Sequence, residues 1–233
     1  MATSGTYSFT MTRDDIIGAA LRLTGAFGDQ DVIPASDISN CAMALNILAK
    51  ELAINGLPLW CVQDIQVPMV AGQKSYNLSA ASGTTLPLRI LDAYIRDSTG
   101  NDTTLQITSR YDYDTLGQKG SQGVPNQVYY DPQLGAGSLV FYNVPADNSR
   151  TVHVVIQRQV QDFNLATDNP DFPQEAFRLL KWCLADEIAL EYQATADVRK
   201  EINARATIYK EKFFDSQQEQ ASIYFTPSER MRY

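Results

Sequence analysis

The spacing of apolar residues changes twice along this chain of 233 residues, and these changes restrict its possible folds more than any single motif does. Up to about residue 61, apolar residues recur every three to four positions, which is typical of amphipathic helices. From there to about residue 161 they alternate at every second position, with turn residues between short runs, which is typical of antiparallel strands. The helical spacing then returns. We therefore predict an α+β fold in which an antiparallel β-rich module is inserted between helical segments.

Two helices are predicted in the N-terminal segment. Thr12, followed three positions later by Asp15, predicts a capping box at the start of the first helix, and Gly28 is predicted to end it in the left-handed conformation. Ser36 or Asp37 is predicted to cap the start of the second helix. This helix carries one apolar stripe, which is expected to face the core and consists of Ile38, Ala42, Leu45, Leu48 and Leu52.

The β-rich module reads as a series of short strands at regular intervals, which favours a sandwich or barrel. The turn residues Ser98–Asp102 predict a β-hairpin, whose second strand is expected over Thr104–Thr108. Another strand is predicted over Gln127–Tyr130, ending at Asp131 and Pro132 because proline cannot donate to a sheet ladder.

His153 is the only histidine of the chain, and it falls in the predicted strand Thr151–Val160. His153 and Gln157 alternate there with apolar residues, so both are expected on the opposite face of the sheet from the core. We interpret His153 as a sheet residue. One histidine and three widely spaced cysteines do not form a zinc-binding pattern, and no cofactor motif is present, so we expect neither a metal nor a cofactor.

The C-terminal helices begin after the β-rich module. Pro170 or Asp171 is predicted to start a helix that reaches Gln193 and is apolar on nearly every side, which indicates a buried helix. Thr195 or Asp197 is predicted to cap a second, more charged helix. We expect the helices of both ends to pack as one bundle, and the buried helix to be covered in part by a neighbouring subunit.

Composition restricts the function further. The net charge of −8 argues against a general nucleic-acid binder, because contacts to phosphates require clustered Lys and Arg. An odd number of scattered cysteines is typical of a reduced, intracellular chain. The sequence has no secretory signal pattern and no run of about 18 apolar residues. We therefore expect a soluble protein made in a cytoplasm, without contact with a membrane.

Two acidic residues, Asp112 and Asp114, could form a carboxylate pair for cleavage of glycosidic bonds. This pattern leaves open a peptidoglycan hydrolase, although neighbouring acids are more often a solvated surface. A carbohydrate-binding module is disfavoured because Trp60 and Trp182 are the only tryptophans. The loop with Gly117, Lys119, Gly120 and Gly123 lacks the GK[ST] ending of a nucleotide-binding loop. It is expected to be flexible or to bind a partner.

The last segment, residues 223–233, combines apolar, aromatic and basic side chains without a helical period. Pro227 prevents it from continuing the preceding helix. The segment either folds back on its own domain or is an arm that becomes ordered on a partner, and we favour the arm, because Tyr and Arg are frequent at binding hot spots. The residues expected to contact a partner are Ile223, Tyr224, Phe225, Pro227, Arg230, Arg232 and Tyr233.

The chain resembles the head-to-tail adaptor proteins of short-tailed phages, which are also called tail accessory, packaged-DNA-stabilising or head completion proteins. The resemblance rests on a series of short segments that occur in the same order over most of the chain. They are Gly56–Trp60, Gly72–Leu78, Pro87–Ala93, Ser109–Asp114, Gly123–Gln133, Gly137–Tyr142 and Phe172–Phe177.

This resemblance implies a helical bundle (residues 1–61 and 162–222), an inserted β-rich module (62–161) and an extended C-terminal arm (223–233). It implies a ring of twelve copies below the portal protein, at the head-tail junction of the virion, after assembly in the cytoplasm of the bacterial host. The arm would dock onto the portal, a nozzle or tail-fibre protein would bind the lower face, and genomic DNA would pass through the channel without sequence-specific contacts. The alternative is a virion-associated peptidoglycan hydrolase that uses Asp112 and Asp114.

Overall fold

The computed structural model describes residues 4–54, 58–78 and 86–217, and within these ranges the protein is mixed α and β. The helices are α1 (Arg13–Thr24), α2 (Ala35–Ile54), α3 (Arg110–Thr115), α4 (Phe177–Ile188) and α5 (Ala196–Ser216). The strands are β1 (Val62–Pro68), β2 (Ser75–Leu78), β3 (Pro87–Arg96), β4 (Asp102–Thr104), β5 (Gln106–Thr108), β6 (Gln122–Gly123), β7 (Gln127–Gln133), β8 (Ala136–Tyr142), β9 (Val144–Pro145) and β10 (Thr151–Arg158).

Helix α1 begins with the predicted capping box. The Thr12 hydroxyl accepts the backbone N–H of Asp15, and the Asp15 carboxylate accepts the N–H of Thr12. The prediction that Gly28 ends this helix is wrong. Gly25 adopts the left-handed conformation three residues earlier, with φ of 78°, and its N–H bonds to the carbonyl of Arg22.

Helix α2 begins at Ala35, earlier than predicted, because the carbonyl of Pro34 already accepts the N–H groups of Asp37 and Ile38. Most of its predicted apolar stripe is buried, with Ile38 partly buried. The buried members are Ala42, Leu45, Leu48 and Leu52.

Helix α4 is shorter than predicted at both ends. A turn of 3₁₀ helix, Gln174–Ala176, precedes it, and Asp171 does not start a helix but pairs with Arg158. The helix stops at Ile188 because the chain turns back, with the N–H of Ala194 bonded to the carbonyl of Ala189. Leu190, predicted to be part of the buried helix, is therefore exposed.

Helices from both ends of the chain share one apolar core. Helix α4 contacts α1, α2 and α5, and Thr195 caps α5 as one of the two predicted alternatives. The largest fully buried side chains of this core are Ile16, Ile17, Leu21, Leu45, Leu179 and Leu180.

The strands form two four-stranded sheets with a second apolar core between their inner faces. The order is β1-β10-β3-β4 in the first sheet, which is antiparallel, and β2-β8-β7-β5 in the second. Strand β5 pairs in parallel with β7, and β6 pairs in parallel with β9, so the module is not purely antiparallel. The buried side chains between the sheets include Leu78, Ile95, Leu139, Phe141, Val154 and Ile156.

The predicted second strand of the hairpin, Thr104–Thr108, is in fact two strands in different sheets. Thr104 pairs with Tyr94 of β3, whereas Gln106 begins the pairing with β7. Leu105 lies between them and is buried, so the chain changes sheet at an apolar residue that both sheets cover.

The prediction that Pro132 ends its strand is also wrong, since β7 continues through it to Gln133. Strand β5 covers β7 only over Gln127–Tyr129. Among the described residues one edge of β7 is therefore unpaired at Pro132, and a residue without an N–H fits there. On the other edge Pro132 lies opposite Gly137 of β8.

His153 and Gln157 lie on the predicted face of β10 but are buried rather than exposed. The ring of His153 stacks on Tyr94, with 4.7 Å between the ring centroids. Gln157 donates to the carbonyl of Ala53 at the end of α2 and accepts a hydrogen bond from Arg89. The outer face of β10 is therefore covered by its neighbours and by the helices.

Candidate functional site

The solvent side of α2 carries a line of large apolar side chains. Met43, Ile47 and Ile54 are 61%, 67% and 70% exposed. At 100° per residue the three positions lie within about 40° of one another around the helix axis. We call them the α2 stripe. Only the buried stripe of α2 was predicted from the sequence, although the exposed positions i, i+4 and i+11 form a second apolar line in the same sequence.

An acidic cavity lies beside the α2 stripe, between α2, α4 and α5. Its volume is about 400 Å³. Four carboxylates and one ammonium group line it, and they belong to Glu51, Asp186, Glu187, Glu211 and Lys210. Nζ of Lys210 is 3.1 Å from Oε1 of Glu51, so the carboxylates of the cavity outnumber its ammonium group by three.

The α2 stripe and the acidic cavity form one continuous face. Glu51 lies roughly 40° around α2 from Ile47, and it lines the cavity together with Leu48. Apolar side chains therefore border carboxylates directly. An apolar area beside a charged rim is the usual composition of a protein-protein interface.

A second surface, on α4 and α5, combines cations with aromatic rings. The guanidinium of Arg178 lies 5.4 Å from the ring of Tyr209, and that of Arg205 lies 5.2 Å from the ring of Trp182. The ammonium of Lys181 is 5.7 Å from the same tryptophan, whose ring is 6.1 Å from Tyr209. We call these five residues the cation–aromatic strip. Arginine, tryptophan and tyrosine are the residue types most frequent at interface hot spots.

The cation–aromatic strip and the acidic cavity point away from each other. On α5, Arg205 and Tyr209 of the strip lie within about 40° of each other, whereas Thr207 and Lys210 of the cavity lie within about 60°. The centres of the two pairs are about 150° apart around the helix axis. One molecule therefore presents a basic, aromatic surface in one direction and an acidic, apolar surface in the other.

The loop predicted to bind a tail partner is held to the β-rich module at two points. Lys119 donates to the carbonyl of Asp114 and lies 5.1 Å from the ring of Tyr113. Gly123 belongs to β6 and pairs with β9. Gly117 lies between Asp114 and Lys119, Gly120 lies between Lys119 and Gly123, and both glycines are exposed. That this loop binds a partner stays a prediction.

Asp112 and Asp114, the carboxylates considered for catalysis, stabilise the structure around α3. The Asp112 carboxylate accepts the hydroxyl of the helix-capping Ser109 at 2.7 Å. Asp114 is 3.8 Å from both Arg110 and Lys119. These contacts are those of an exposed helix cap and an exposed ion-pair network.

His153 takes part in a polar group on the outer face of the first sheet. One oxygen of Asp64 is 3.1 Å from Nδ1 of His153 and accepts the hydroxyl of Tyr94 at 3.2 Å. With the stacked ring of Tyr94, these contacts account for the burial of a histidine in mid-strand.

Among residues 4–54, 58–78 and 86–217, no group of His, Cys, Asp and Glu side chains is arranged to hold a metal ion. The helices of the same ranges include none that is long and apolar enough to cross a membrane. The residues predicted to form the arm, 223–233, lie outside the part of the chain that the structure describes.

No protein-family model matches this chain, and a search of curated proteins also gives no match.

Proposed function

We propose that this protein is a structural head-to-tail adaptor of a short-tailed phage, which acts by binding other proteins and not by catalysis. The α2 stripe is the observation that carries the proposal. Three large apolar side chains aligned on the solvent side of one helix are costly to leave in water, and such patches mark surfaces that bind other proteins. The cation–aromatic strip adds a second surface of this kind.

In this proposal α1, α2, α4 and α5 form a bundle. The β-rich module, whose first and last strands are β1 and β10, projects from this bundle. Twelve copies form a ring under the portal protein and prolong the channel for DNA. The net charge of −8 supports this role, because an acidic wall repels the phosphate backbone and lets DNA pass.

The contact with the portal and the contact with the next tail component are each assigned to one segment of the chain. Residues 223–233 dock onto the portal through their aromatic and basic side chains. The loop between Gly117 and Gly123 contacts the next tail component, a nozzle or tail-fibre protein. The protein then resides at the head-tail junction of the virion.

The test is co-expression of the full chain with the portal protein encoded near it, followed by native mass spectrometry of the purified complex. We expect twelve copies of each protein in one assembly. Deletion of residues 223–233 should leave the circular dichroism spectrum unchanged and weaken portal binding. A matched control keeps the length of the arm but replaces Tyr224, Phe225 and Tyr233 by serine, and it should bind as weakly as the deletion.

Two results would contradict the proposal. The first is a chain that stays monomeric and does not bind the portal at any concentration tested. The second is release of soluble fragments from purified peptidoglycan, lost in Asp112→Ala or Asp114→Ala, which would show a hydrolase instead.

A further inference from the structure

We infer that the partner of the cation–aromatic strip is a second copy of this chain, which receives the strip on its acidic cavity and α2 stripe. The inference rests on the proposed function, since it names the contact between neighbouring subunits of the ring. It follows from charge, from side-chain chemistry and from the directions in which the two surfaces face.

The charges of the two surfaces are opposite. The strip contributes Arg178, Lys181 and Arg205, of which Arg205 is paired with Glu201 at 2.7 Å. The cavity contributes four carboxylates against the single ammonium of Lys210. Because each copy has a net charge of −8, two copies that meet at arbitrary surfaces repel each other. Contact between the strip and the cavity replaces this repulsion by attraction.

The apolar parts of the surfaces also match. Trp182 and Tyr209 are partly buried rings among the cations of the strip, and the α2 stripe presents aliphatic side chains beside the carboxylates of the cavity. Aromatic rings on aliphatic side chains form the dry centre of many interfaces, and the ion pairs lie around it. A cavity of about 400 Å³ has the volume of a small-molecule site and can accept more than one side chain.

The directions of the two surfaces determine the type of assembly. An isologous dimer requires the same patch on both partners, whereas contact between two different patches is heterologous and repeats from copy to copy. Because the strip and the cavity face roughly opposite ways on α5, each copy binds one neighbour on each side. Such an arrangement closes into a ring when the rotation between copies permits it.

Charge reversal of each surface provides the test. The strip variant is Arg178→Glu with Lys181→Glu, and the cavity variant is Asp186→Lys with Glu187→Lys. In each variant alone, the strip and the cavity carry charges of the same sign, so they repel each other at every contact. In an equimolar mixture, the reversed strip of one variant can bind the reversed cavity of the other. The native strip and the native cavity of the two variants can then also bind each other. The full-length proteins are followed by sedimentation velocity at about 10 mM salt, where screening extends over roughly 30 Å, and at about 1 M salt.

The intact protein should associate at low salt and dissociate at high salt. Each variant alone should associate at least about tenfold more weakly, because like charges that meet across an interface are strongly unfavourable. The mixture should recover assembly, and its native mass spectrum should show equal numbers of the two variants. Recovery also demonstrates that both variants are folded. A control, Arg110→Glu on the exposed side of α3 in the β-rich module, lies on neither surface and should behave like the intact protein.

Three outcomes would overturn the inference: an intact protein that stays monomeric at low salt, a reversal variant that assembles like the intact protein, or a mixture that does not recover. Portal binding, measured separately, distinguishes this failure from that of the proposed function. A protein that binds the portal with either reversal in place remains an adaptor and loses only this contact. One that neither associates nor binds the portal loses both.

Discussion

Arg158, the last residue of β10, binds Asp171, in the segment before α4, through two parallel hydrogen bonds. One joins Nη2 to Oδ1 at 2.8 Å, and the other joins Nη1 to Oδ2. Burial raises the pKa of Asp171, but hydrogen bonds from Arg158 and from the N–H of Gln161 outweigh it and hold this pKa below its usual 3.8. The carbonyl of Asp171 also accepts the indole N–H of Trp60. Asp171 therefore connects the β-rich module to the helices.

Replacement of Arg158 by alanine should lower the free energy of unfolding by about 2 kcal/mol, because a carboxylate in a partly buried site loses two charged hydrogen bonds. Arg158→Lys should recover only part of this loss, since an ammonium group does not form the paired geometry. Urea unfolding of the full chain measures both. The control is Arg96→Ala, which removes an equally paired contact with Asp102.

The two ion pairs differ in exposure, and this difference predicts the result of the control. The side chains of Arg158 and Asp171 are 19% and 21% exposed, whereas those of Arg96 and Asp102 are both 44% exposed. Water screens the exposed pair, so Arg96→Ala should cost clearly less stability than Arg158→Ala. Equal losses from Arg96→Ala and Arg158→Ala would contradict the structural role given to Asp171.

Gly137 of β8 leaves no room for a side chain, because the ring of Tyr130 crosses directly above it. A Cβ atom at this position would lie 2.3 Å from the hydroxyl oxygen of Tyr130. That hydroxyl is fixed by a hydrogen bond of 2.8 Å to the carbonyl of Pro87 on β3. We therefore expect Gly137→Ala to lower the free energy of unfolding by about 1–3 kcal/mol, as is usual for overpacking.

A double-mutant cycle isolates this clash. Tyr130→Leu removes the ring and should make Gly137→Ala less costly than it is in the intact protein, which denaturant unfolding of the four proteins measures. Strictly additive losses would contradict the clash. Gly135→Ala is a useful comparison, because nothing lies within 4 Å of its added Cβ and the cost comes only from its positive φ of 80°.

Signals that depend on a few neighbouring residues were sufficient to predict parts of the fold. Thr12 and Asp15 predict the start of α1 because both partners of the capping box lie within one turn. The residues Ser98–Asp102 predict the turn of the β3–β4 hairpin for the same reason: the carboxylate of Asp97 accepts the N–H groups of Thr99 and Asn101. Local hydrogen bonds of this kind are determined by the sequence itself.

Features that depend on distant residues could not be predicted in this way. Alternation along β10 assigns His153 and Gln157 to the outer face correctly, but their burial depends on Asp64 and Ala53, each about ninety or more positions away. The strand change at Leu105 requires two sheets to be present on either side of it. The cation–aromatic strip likewise exists only because α4 and α5 pack side by side.

The capping box of α1 should make the free energy of unfolding depend on pH. The hydrogen bonds from the side chain and the backbone of Thr12 lower the pKa of Asp15 below 3.8. A carboxylate with a lowered pKa in the folded state stabilises the fold above its unfolded pKa, and this contribution is lost as pH falls through the folded value. Thr12→Ala should cost about 1 kcal/mol near neutral pH, and the difference from the intact protein should shrink below about pH 4.

Thermal or urea unfolding at a series of pH values measures this dependence. Thr12→Ser keeps a hydroxyl at the capping position, so it should follow the intact protein at every pH. A cost of Thr12→Ala that does not change between neutral and acidic pH would show that the carboxylate of Asp15 does not contribute to the cap.

The three cysteines should be unreactive in the folded protein. Cys41, Cys61 and Cys183 are all buried, and burial is the largest cause of a raised pKa at each of them. The pKa of Cys183, which lines the acidic cavity, is raised to about 11. Because the thiolate is the reactive form, only about one Cys183 side chain in a thousand is reactive at about pH 8.

A disulfide reagent that releases a coloured thiol should therefore detect no cysteine in the native protein within minutes and all three after denaturation in guanidinium chloride. Ala204→Cys, on the exposed part of α5, supplies a matched positive control and should react within seconds. Rapid reaction of Cys183 in the native protein would contradict this expectation and would show that the reagent reaches the thiol through the acidic cavity that Cys183 lines.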